Sequence, residues 1–159
     1  FIKKVNKKIN IKTFTKKIDK KNIYRIAKNY DIICDGTDNF KSRFLINDYC
    51  MKNKKILVSS AINKFDGQVF NFDFRRKTPC FRCFMPKSPN EELNCESDGI
   101  MTTLAGIAGS LQANEVIKSI LNIGNNSHGN IMIFNALDLK FRKIKLLRNT
   151  SCKRNCIYA

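Results

Sequence analysis

The sequence predicts an α/β fold built on a mixed sheet, with a parallel core and antiparallel C-terminal strands. The first indication is a short apolar run at residues 32–34, followed by a helical pattern and a second apolar run at residues 56–60. Two strands joined by a helical crossover pair in parallel. The second indication is Asp66-Gly67, a hairpin-type turn before the apolar run at residues 69–72. A hairpin makes the strand that follows it antiparallel.

The other elements follow from hydrophobic periodicity. Ile9 and Ile11 with Phe14 predict a short strand, and the longest helical pattern covers residues 102–121. The apolar residues of that helix form two stripes on nearly opposite faces, so its buried face is expected to change midway. His128, in a turn cluster, is expected to be exposed to solvent and not catalytic. The remaining predictions are helical turns at residues 22–29, a helix at 40–53, and strands at 130–135 and 139–147.

Composition bounds the classes of function. The chain has 159 residues, 43% of them hydrophobic, which is enough to bury a core within one domain. The formal net charge of +17 first suggests nucleic acid or another anionic partner. However, the basic residues are spread along the chain with little aromatic interleaving, and the abundant Lys, Asn and Ile all have A/T-rich codons. Genome composition accounts for the charge, and we expect no nucleic-acid partner.

No targeting or membrane segment is recognisable in the sequence. The N-terminus is rich in Lys without a long apolar core, and the most apolar stretch, residues 100–111, is shorter than the ~20 residues of a membrane span. The seven cysteines are odd in number, which argues against a disulfide framework and for a reducing compartment. We expect a cytoplasmic protein, or one of an organelle matrix or stroma, without membrane attachment.

The segment at residues 31–43, DIICDGTDNFKSR, places two carboxylates after the first strand. Asp35 and Asp38 lie where the strand gives way to a helix, and open α/β sheets bind ligands at the carboxyl ends of their strands. Asp38 or Asn39 can cap the helix, because either side chain accepts from the free N–H groups of the first turn. The pattern therefore leaves two interpretations of Asp38, a ligand-binding carboxylate and a helix cap.

Two cysteine pairs indicate a metal site. Cys80 and Cys83 form a C-x-x-C motif, which by itself fits a redox pair, half a zinc site or coincidence. Cys152 and Cys156 form a second pair near the C-terminus. Two pairs at such spacings can supply four thiolates to one tetrahedral Zn²⁺, which would tie the C-terminal segment to a distant loop. The alternative is four free thiols.

Several stretches resemble the ThiF/MoeB/HesA family in their order and spacing. These E1-like enzymes adenylate the C-terminal glycine of ubiquitin-like sulfur carriers. The resemblance includes DGTDN with Arg43 and Asn47, and it runs from about residue 9 to residue 156. The other matching stretches are residues 58–68 (VSSAINKFDGQ), 79–83 (PCFRC), 95–101 (CESDGIM) and 109–118 (GSLQANEVIK), with Cys152 and Cys156.

The resemblance implies one Rossmann-like, E1/ThiF-type domain over residues 1–159 that uses ATP. It implies that Asp38 holds Mg²⁺ near the phosphates and that Asn39 contacts the nucleotide. We expect Arg43, one helical turn further on, to steady Asp38. The family is dimeric, which implies a homodimer whose partner is a ubiquitin-like sulfur-carrier protein. The small residues in the first half of the long helix suit contact with a second subunit.

The resemblance also implies a zinc staple made by the two cysteine pairs, and a crossover loop at residues 84–98. Three residues separate Cys152 from Cys156, where the family usually has two. Some members use a cysteine at the position of Cys95 as a nucleophile, which makes it a catalytic candidate, and others have the cysteine without needing it. The acidic residues around Cys95 disfavour a thiolate, so the residues themselves leave both roles open.

The chain has no glycine before Gly36, so the family's glycine-rich phosphate loop does not occur upstream within residues 1–159. The resemblance therefore covers the C-terminal portion of the family's domain, and we expect these residues alone not to exchange pyrophosphate into ATP. The alternative function is a non-catalytic, zinc-stapled module that binds the carrier, or a degenerate fragment. A basic zinc module on nucleic acid is a third hypothesis. Whether the carrier serves thiamin, molybdopterin or tRNA thiolation stays open.

Overall fold

The computed structural model describes residues 1–87, 99–125, 127–150 and 152. The helices are α1 (Ile2–Val5), α2 (Ile23–Ala27), α3 (Phe40–Lys52), α4 (Phe81–Phe84) and α5 (Thr103–Leu121). The strands are β1 (Ile32–Asp35), β2 (Ile56–Asn63), β3 (Asp66–Asp73), β4 (Asn130–Asn135) and β5 (Lys140–Lys145). These strands form one sheet in the order β1-β2-β3-β4-β5.

The strand pairing confirms the predicted mixed sheet. β1 pairs in parallel with β2, with Asp35 opposite Ser59, because α3 carries the chain back to the starting edge between them. β2, β3, β4 and β5 then pair antiparallel in turn. The carboxyl ends of the parallel pair therefore lie side by side. The side chains of Asp35 and Ser59 meet there.

The middle of the sheet is covered on both faces, whereas every residue of β5 is exposed. Side chains alternate between the faces along a strand, so Leu57 joins one apolar cluster while its neighbours Ile56 and Val58 join the other. Helices α2, α3 and α4 pack on the Leu57 face, and α5 packs on the opposite face. The first face is rich in aromatic rings, with Phe70 and Phe81 in edge-to-face contact at 5.5 Å. α3 and α5 are thus held rigidly on opposite sides of the parallel pair.

Two local predictions near the first half of the chain are wrong. Ile9, Ile11 and Phe14 form no strand; the described structure has only the short helix α1 before them. The hairpin turn lies at Lys64 and Phe65, two residues before the predicted Asp66-Gly67. Lys64 has the positive φ of +47° that the turn requires.

Gly67 lies inside β3 for a packing reason. A Cβ added there would overlap the ring of Phe134 on the neighbouring strand. The glycine therefore allows a close approach between the two strands, which is a common reason for glycine inside a β-strand.

The long helix buries one continuous face, contrary to the prediction of a change midway. Leu104, Ala108 and Glu115 are buried along that face. The second apolar stripe is exposed, with Ile117 and Ile120 at 52% and 65% exposure. The reason is that the sheet supplies only one surface, and the buried Glu115 continues the inward face beyond Ala108.

Glu115 is accommodated by a polar network between α5 and β3. Its two oxygens accept from Asn71 Nδ2 at 2.8 Å, Lys118 Nζ at 2.6 Å and Ser127 N at 3.2 Å. Burial alone would raise the pKa of the Glu115 carboxyl, but hydrogen bonds from Lys118 and Asn71 outweigh it and the pKa lies below its ordinary value. The buried glutamate is therefore ionised and paired.

His128 belongs to the same network, so the prediction that it is solvent-exposed is wrong. Its side chain is only 16% exposed. Its Nδ1 lies 2.9 Å from Asn71 Oδ1, and its backbone bridges to Asn71 on β3. The turn after α5 is pulled against the sheet by these contacts, which local sequence does not indicate.

In the described ranges, no helix is both long and apolar enough to cross a membrane.

The Glu115 network predicts a specific pH dependence of stability. Because the folded pKa is depressed, the stability contributed by Glu115 is fully present above the pKa of an unfolded glutamate, about 4.3, and is lost as the pH falls through the folded value. Glu115→Gln should lower the free energy of unfolding by about 2 kcal/mol at pH 7 and flatten its loss between pH 7 and 3. Urea unfolding at each pH measures both effects.

The matched control is Ile117→Ala, which truncates an exposed residue of the same helix. It should leave the pH profile unchanged. An equally steep loss of stability in Glu115→Gln and in the parent chain would show that Glu115 is not the group that titrates.

Candidate functional site

Asp35 anchors the loop at the carboxyl end of β1. Its carboxylate is 1% exposed. Oδ1 accepts from the backbone N and the hydroxyl of Thr37, at 2.9 and 2.6 Å, and Oδ2 accepts from the Ser59 hydroxyl at 2.7 Å. Such an Asx turn binds the chain to its own side chain two residues back. Asp35 is therefore occupied within the fold and offers no free oxygen to a ligand.

Arg43 on α3 joins this loop to the end of β2. Its Nη2 donates to the carbonyls of Thr37 and Ser60 at 2.7 and 2.8 Å, and its Nη1 donates to Ser59 Oγ at 3.0 Å. Its Nε lies 3.7 Å from Asp35 Oδ2. Burial lowers the pKa of the Arg43 guanidinium, and the charge of Asp35 opposes that shift. Arg43 does not contact Asp38, because its fork faces Asp35 and two carbonyls; the predicted steadying of Asp38 would act through the carbonyl of Thr37, the residue before it.

Gln112 fastens the same corner from the other side of the sheet. Its Nε2 donates to the carbonyls of Asp35 and Val58, at 3.1 and 2.8 Å, and its Oε1 accepts from the Ser60 hydroxyl at 3.2 Å. Our sequence reasoning missed this residue. The available signal was a glutamine four residues after Ala108, and so at helical spacing from the apolar stripe of α5. The loop is thus held from both faces of the sheet.

Asp38 lies at the exposed tip of the anchored loop. The helix cap is Asn39, whose Oδ1 accepts from Ser42 N at 2.8 Å, so the structure decides between the two candidate caps. Asn39 Nδ2 donates to Asp38 Oδ1 at 2.9 Å, and this bond is the main reason that the pKa of the Asp38 carboxyl lies below its ordinary value. Asp38 forms no ion pair with the described residues. It is an ionised carboxylate with capacity for a cation.

Three of the four predicted zinc ligands converge beside the middle turns of α3. Cys80 Sγ lies 3.9 Å from Cys83 Sγ and 3.8 Å from Cys152 Sγ, and all three sulfurs lie within 4.8 Å of one another. Cys80 is fully buried. Cys152 thus returns to a loop 72 residues earlier. Cys156, and the nucleophile candidate Cys95 with residues 88–98 of the predicted crossover loop, lie outside the described residues.

The cysteine loop is held by the second half of α3. Asn47 Oδ1 accepts from Phe81 N at 2.9 Å inside the core. Asp48 accepts two hydrogen bonds from Arg82, at 2.7 and 2.9 Å. The Arg82 guanidinium also lies 4.4 Å from the ring centroid of Phe44. The turn that carries Cys80 and Cys83 is therefore positioned by side chains of the fold itself.

A double-mutant cycle tests whether Arg43 interacts with the carboxylate of Asp35 or with that of Asp38. Arg43→Lys should lower the free energy of unfolding by about 1–3 kcal/mol, since an ammonium cannot replace the fork. With Asp35→Asn the effect should be non-additive by about 1 kcal/mol or more, and with Asp38→Asn it should be additive within about 0.5 kcal/mol. Denaturant unfolding of the single and double variants measures both couplings. Coupling to Asp38 in place of Asp35 would contradict the geometry.

Two solved structures share this architecture. E. coli MccB with AMPCPP and MccA matches 96% of the chain and 47% of its own length, at a TM-score of 0.77 and 17% sequence identity. PaaA matches 92% of the chain and 52% of its own length, at a TM-score of 0.69 and 12% identity. At these identities the likeness shows the fold alone.

Curated proteins show closer relationships in sequence. The sulfur carrier protein adenylyltransferase of Thermus thermophilus is 34% identical over 154 residues, covering 93% of the chain and 57% of that protein. The probable molybdopterin-synthase adenylyltransferase of Gracilaria tenuistipitata var. liui is 36% identical over 147 residues, covering 92% of the chain and 41% of that protein. The SAMP-activating enzyme E1 of Haloferax volcanii is 30% identical over 154 residues, covering 96% and 56%. The chain spans about half the length of these relatives.

The family model agrees with the sequence resemblance. The model described as the ThiF family matches residues 1–154. That range contains both the anchored carboxylate loop and the converging cysteines Cys80, Cys83 and Cys152. On this match, the chain belongs to the ThiF family.

Proposed function

We propose that the chain forms part of an E1-like adenylyltransferase, which uses ATP to adenylate the C-terminal glycine of a ubiquitin-like sulfur-carrier protein. The observation that carries the proposal is the ionised carboxylate of Asp38, held out at the carboxyl end of the parallel strands by a loop that is anchored on both sides. Membership of the ThiF family and the names of the relatives support the reaction class. The identity of the carrier is left open.

The reaction itself asks for positioning more than for acid or base groups. A carboxylate oxygen of the carrier attacks the α-phosphorus of ATP and forms an O–P bond. The bond from that phosphorus to the bridging oxygen breaks, and pyrophosphate leaves with the electron pair. No proton is transferred in the step. The enzyme lowers the barrier by alignment and by neutralising phosphate charge.

Asp38 suits Mg²⁺, a hard cation that prefers carboxylate oxygen. Its carboxylate is exposed, ionised and without an ion pair among the described residues, so the donor fits the ion. When bound there, Mg²⁺ would neutralise charge on the phosphates. Asn39 uses one amide hydrogen on Asp38, and we propose that its second contacts the nucleotide. Arg43 would act as a positioning residue, since its contacts hold the loop.

We also propose a structural Zn²⁺ at Cys80, Cys83, Cys152 and Cys156. Tetrahedral Zn²⁺ with bonds of about 2.3 Å has sulfur–sulfur edges of about 3.8 Å. Two of the observed separations are 3.8 and 3.9 Å, so the three described thiols fit. The ion would stabilise the fold by closing a long loop.

The exposed small-residue surface of α5 supports the proposal of a homodimer. A Cβ added at Gly106 or at Gly109 would meet nothing within 4 Å, so that face is open in the single chain.

A covalent role for Cys95 remains a separate proposal, for which alkylation of the thiol in the presence and absence of ATP is the direct test.

A second function is a zinc-stapled module that binds the carrier without catalysis. The convergence of the thiols of Cys80, Cys83 and Cys152 fits a structural role of this kind. The two functions separate in one assay. Carrier binding without pyrophosphate exchange, in the full gene product that contains this chain, would support the module.

The zinc proposal predicts about one Zn²⁺ per chain in protein purified without chelator. Cys80→Ser should remove most of the metal and lower the melting temperature, because a central ligand is lost from a buried site. The matched control is Cys34→Ser, an exposed thiol outside the cluster, which should change neither. Elemental analysis and thermal melts give the readouts. Metal below about a tenth of an equivalent, with every thiol freely reactive, would contradict the site.

The adenylation proposal predicts that Asp38→Asn abolishes carrier-dependent exchange of pyrophosphate into ATP. The full gene product should lose on the order of a hundredfold in rate, since the charge that holds Mg²⁺ is gone. Because Asn39 is the helix cap, the melting temperature should stay almost unchanged. Asp38→Ala should give the same loss of exchange and the same melting temperature, because Asn39 caps α3. The loss in both variants would then be due to the missing charge and not to a missing helix cap.

The charge-matched control is Asp138→Asn, an exposed carboxylate between β4 and β5. Its exchange rate should stay within about twofold of the parent protein. Near-normal exchange in a stably folded Asp38→Asn variant would remove Asp38 from the site.

A further inference from the structure

A separate cavity of about 330 Å³ lies at the other end of the sheet from Asp38. Asp73 at the end of β3 pairs with Ile56 at the start of β2, which places this cavity beyond the amino ends of the parallel strands. Its walls come from the end of β3 and the loop after it, from the turn before β4, and from the end of β5. No residue of the proposed adenylation site lines it.

Thr78 supplies the first sign of a missing ligand. This residue lines the cavity and is only 6% exposed. Its hydroxyl Oγ1 is buried and has no hydrogen-bond partner among the described residues. A buried hydroxyl without a partner destabilises a fold, because it loses its hydrogen bonds to water and gains none within the protein. The hydroxyl therefore lacks a partner, and we take the missing partner to be a molecule bound in the cavity that Thr78 lines.

Gly129 keeps the space beside that hydroxyl open. A Cβ at this position would lie 3.3 Å from Thr78 Oγ1 and 3.2 Å from Pro79 Cδ. A larger side chain at this position would fill the space next to the Thr78 hydroxyl. The positive φ of Gly129, +71°, also belongs to the region that favours glycine.

The charges around the cavity favour an anion. Arg76, Lys77 and Lys145 line it, and the side-chain ammonium of neither lysine forms a hydrogen bond or ion pair with any residue in the described part of the chain. Asp73 is the one acidic residue in the lining, and its charge is already offset. Arg75 binds both of its oxygens, at 2.8 and 2.9 Å, and Arg76 Nε lies 3.3 Å from Oδ2. A surplus of positive charge remains.

His128 adds a group that can select among anions. Asn71 donates its amide hydrogen to Glu115, so its oxygen accepts from His128 Nδ1 at 2.9 Å. Nε2, which lies 4.0 Å from Asp73 Oδ2, is then the ring nitrogen left for a ligand. Burial lowers the pKa of the imidazole, although Asp73 opposes the shift, which favours the neutral ring with an accepting Nε2. A protonated phosphate oxygen can donate to such a nitrogen, and sulfate, which carries no proton, cannot.

We propose that this cavity is a binding site for a phosphate ion, with the Thr78 hydroxyl as buried donor and Arg76, Lys77 and Lys145 as counter-charges. The site is independent of the proposed adenylation, since it shares none of its residues. Phosphate should bind more tightly than sulfate because of His128.

The test is equilibrium dialysis of the full chain against radiolabelled inorganic phosphate, without Mg²⁺ and at an ionic strength kept constant with NaCl. About one phosphate should bind per chain, and sulfate should compete weakly. Thr78→Val, which keeps the shape of the side chain, and Lys145→Gln should each weaken binding by about tenfold. Lys12→Gln, the charge-matched control on the exposed N-terminal segment, should leave it within about twofold, and Asp38→Asn should leave it unchanged.

Thermal melting separates a ligand site from a structural hydroxyl. Without phosphate, Thr78→Val should melt at or above the parent temperature, because the hydroxyl has no partner to lose. Phosphate should raise the melting temperature of the parent chain and not that of the variant. Equal phosphate affinity in Thr78→Val and the parent would overturn the site. So would a loss in Lys12→Gln as large as in Lys145→Gln, because it would show general attraction to a basic surface.

Discussion

The buried guanidinium of Arg43 is the interaction on which the carboxyl end of the sheet depends. It lies at the junction of β1, β2 and α3, where it donates hydrogen bonds to two backbone carbonyls and faces the carboxylate of Asp35. Both charges are out of water, so each persists only while the other and its hydrogen bonds are present. That mutual requirement fixes the path of the loop between β1 and α3, and with it the outward position of Asp38.

Helix α3 connects this corner to the cysteine cluster. Its first turn carries the cap and Arg43, and its later turns carry Asn47 and Asp48, which bind the backbone and side chain of the cysteine loop. One rigid helix therefore sets the positions of both candidate sites. A metal at the cysteines would stabilise the same helix at its middle turns, so a structural role for Zn²⁺ and a catalytic role for Asp38 are compatible.

Helix α5 has a comparable role on the opposite face. Gln112 and Glu115, one turn apart, both turn inward. Gln112 donates hydrogen bonds to backbone carbonyls of β1 and β2. Glu115 organises Asn71 and Ser127, and through Asn71 it orients His128 beside the cavity. Polar residues on an inward helix face are costly unless satisfied, and here each is satisfied by the strand that it positions.

The sequence by itself determined the order of strands β1 to β5 and of the two long helices, the parallel pairing of β1 with β2, and the family. These depend on short-range patterns and motifs: apolar runs, a helical crossover and the spacing of TDN and Cys-x-x-Cys. It also identified Asp38 as a candidate ligand-binding carboxylate, and Cys80, Cys83 and Cys152 as neighbours.

Only the tertiary structure decided which partners the polar residues take. Arg43 faces Asp35 and not Asp38, Asn39 and not Asp38 caps α3, and His128 is held against β3. The reason is physical: a side chain several ångströms long reaches any of several groups near it in sequence. Burial then selects the arrangement that leaves the fewest charges and donors unpaired, and burial is a property of the packed sheet and helices, which no local pattern contains.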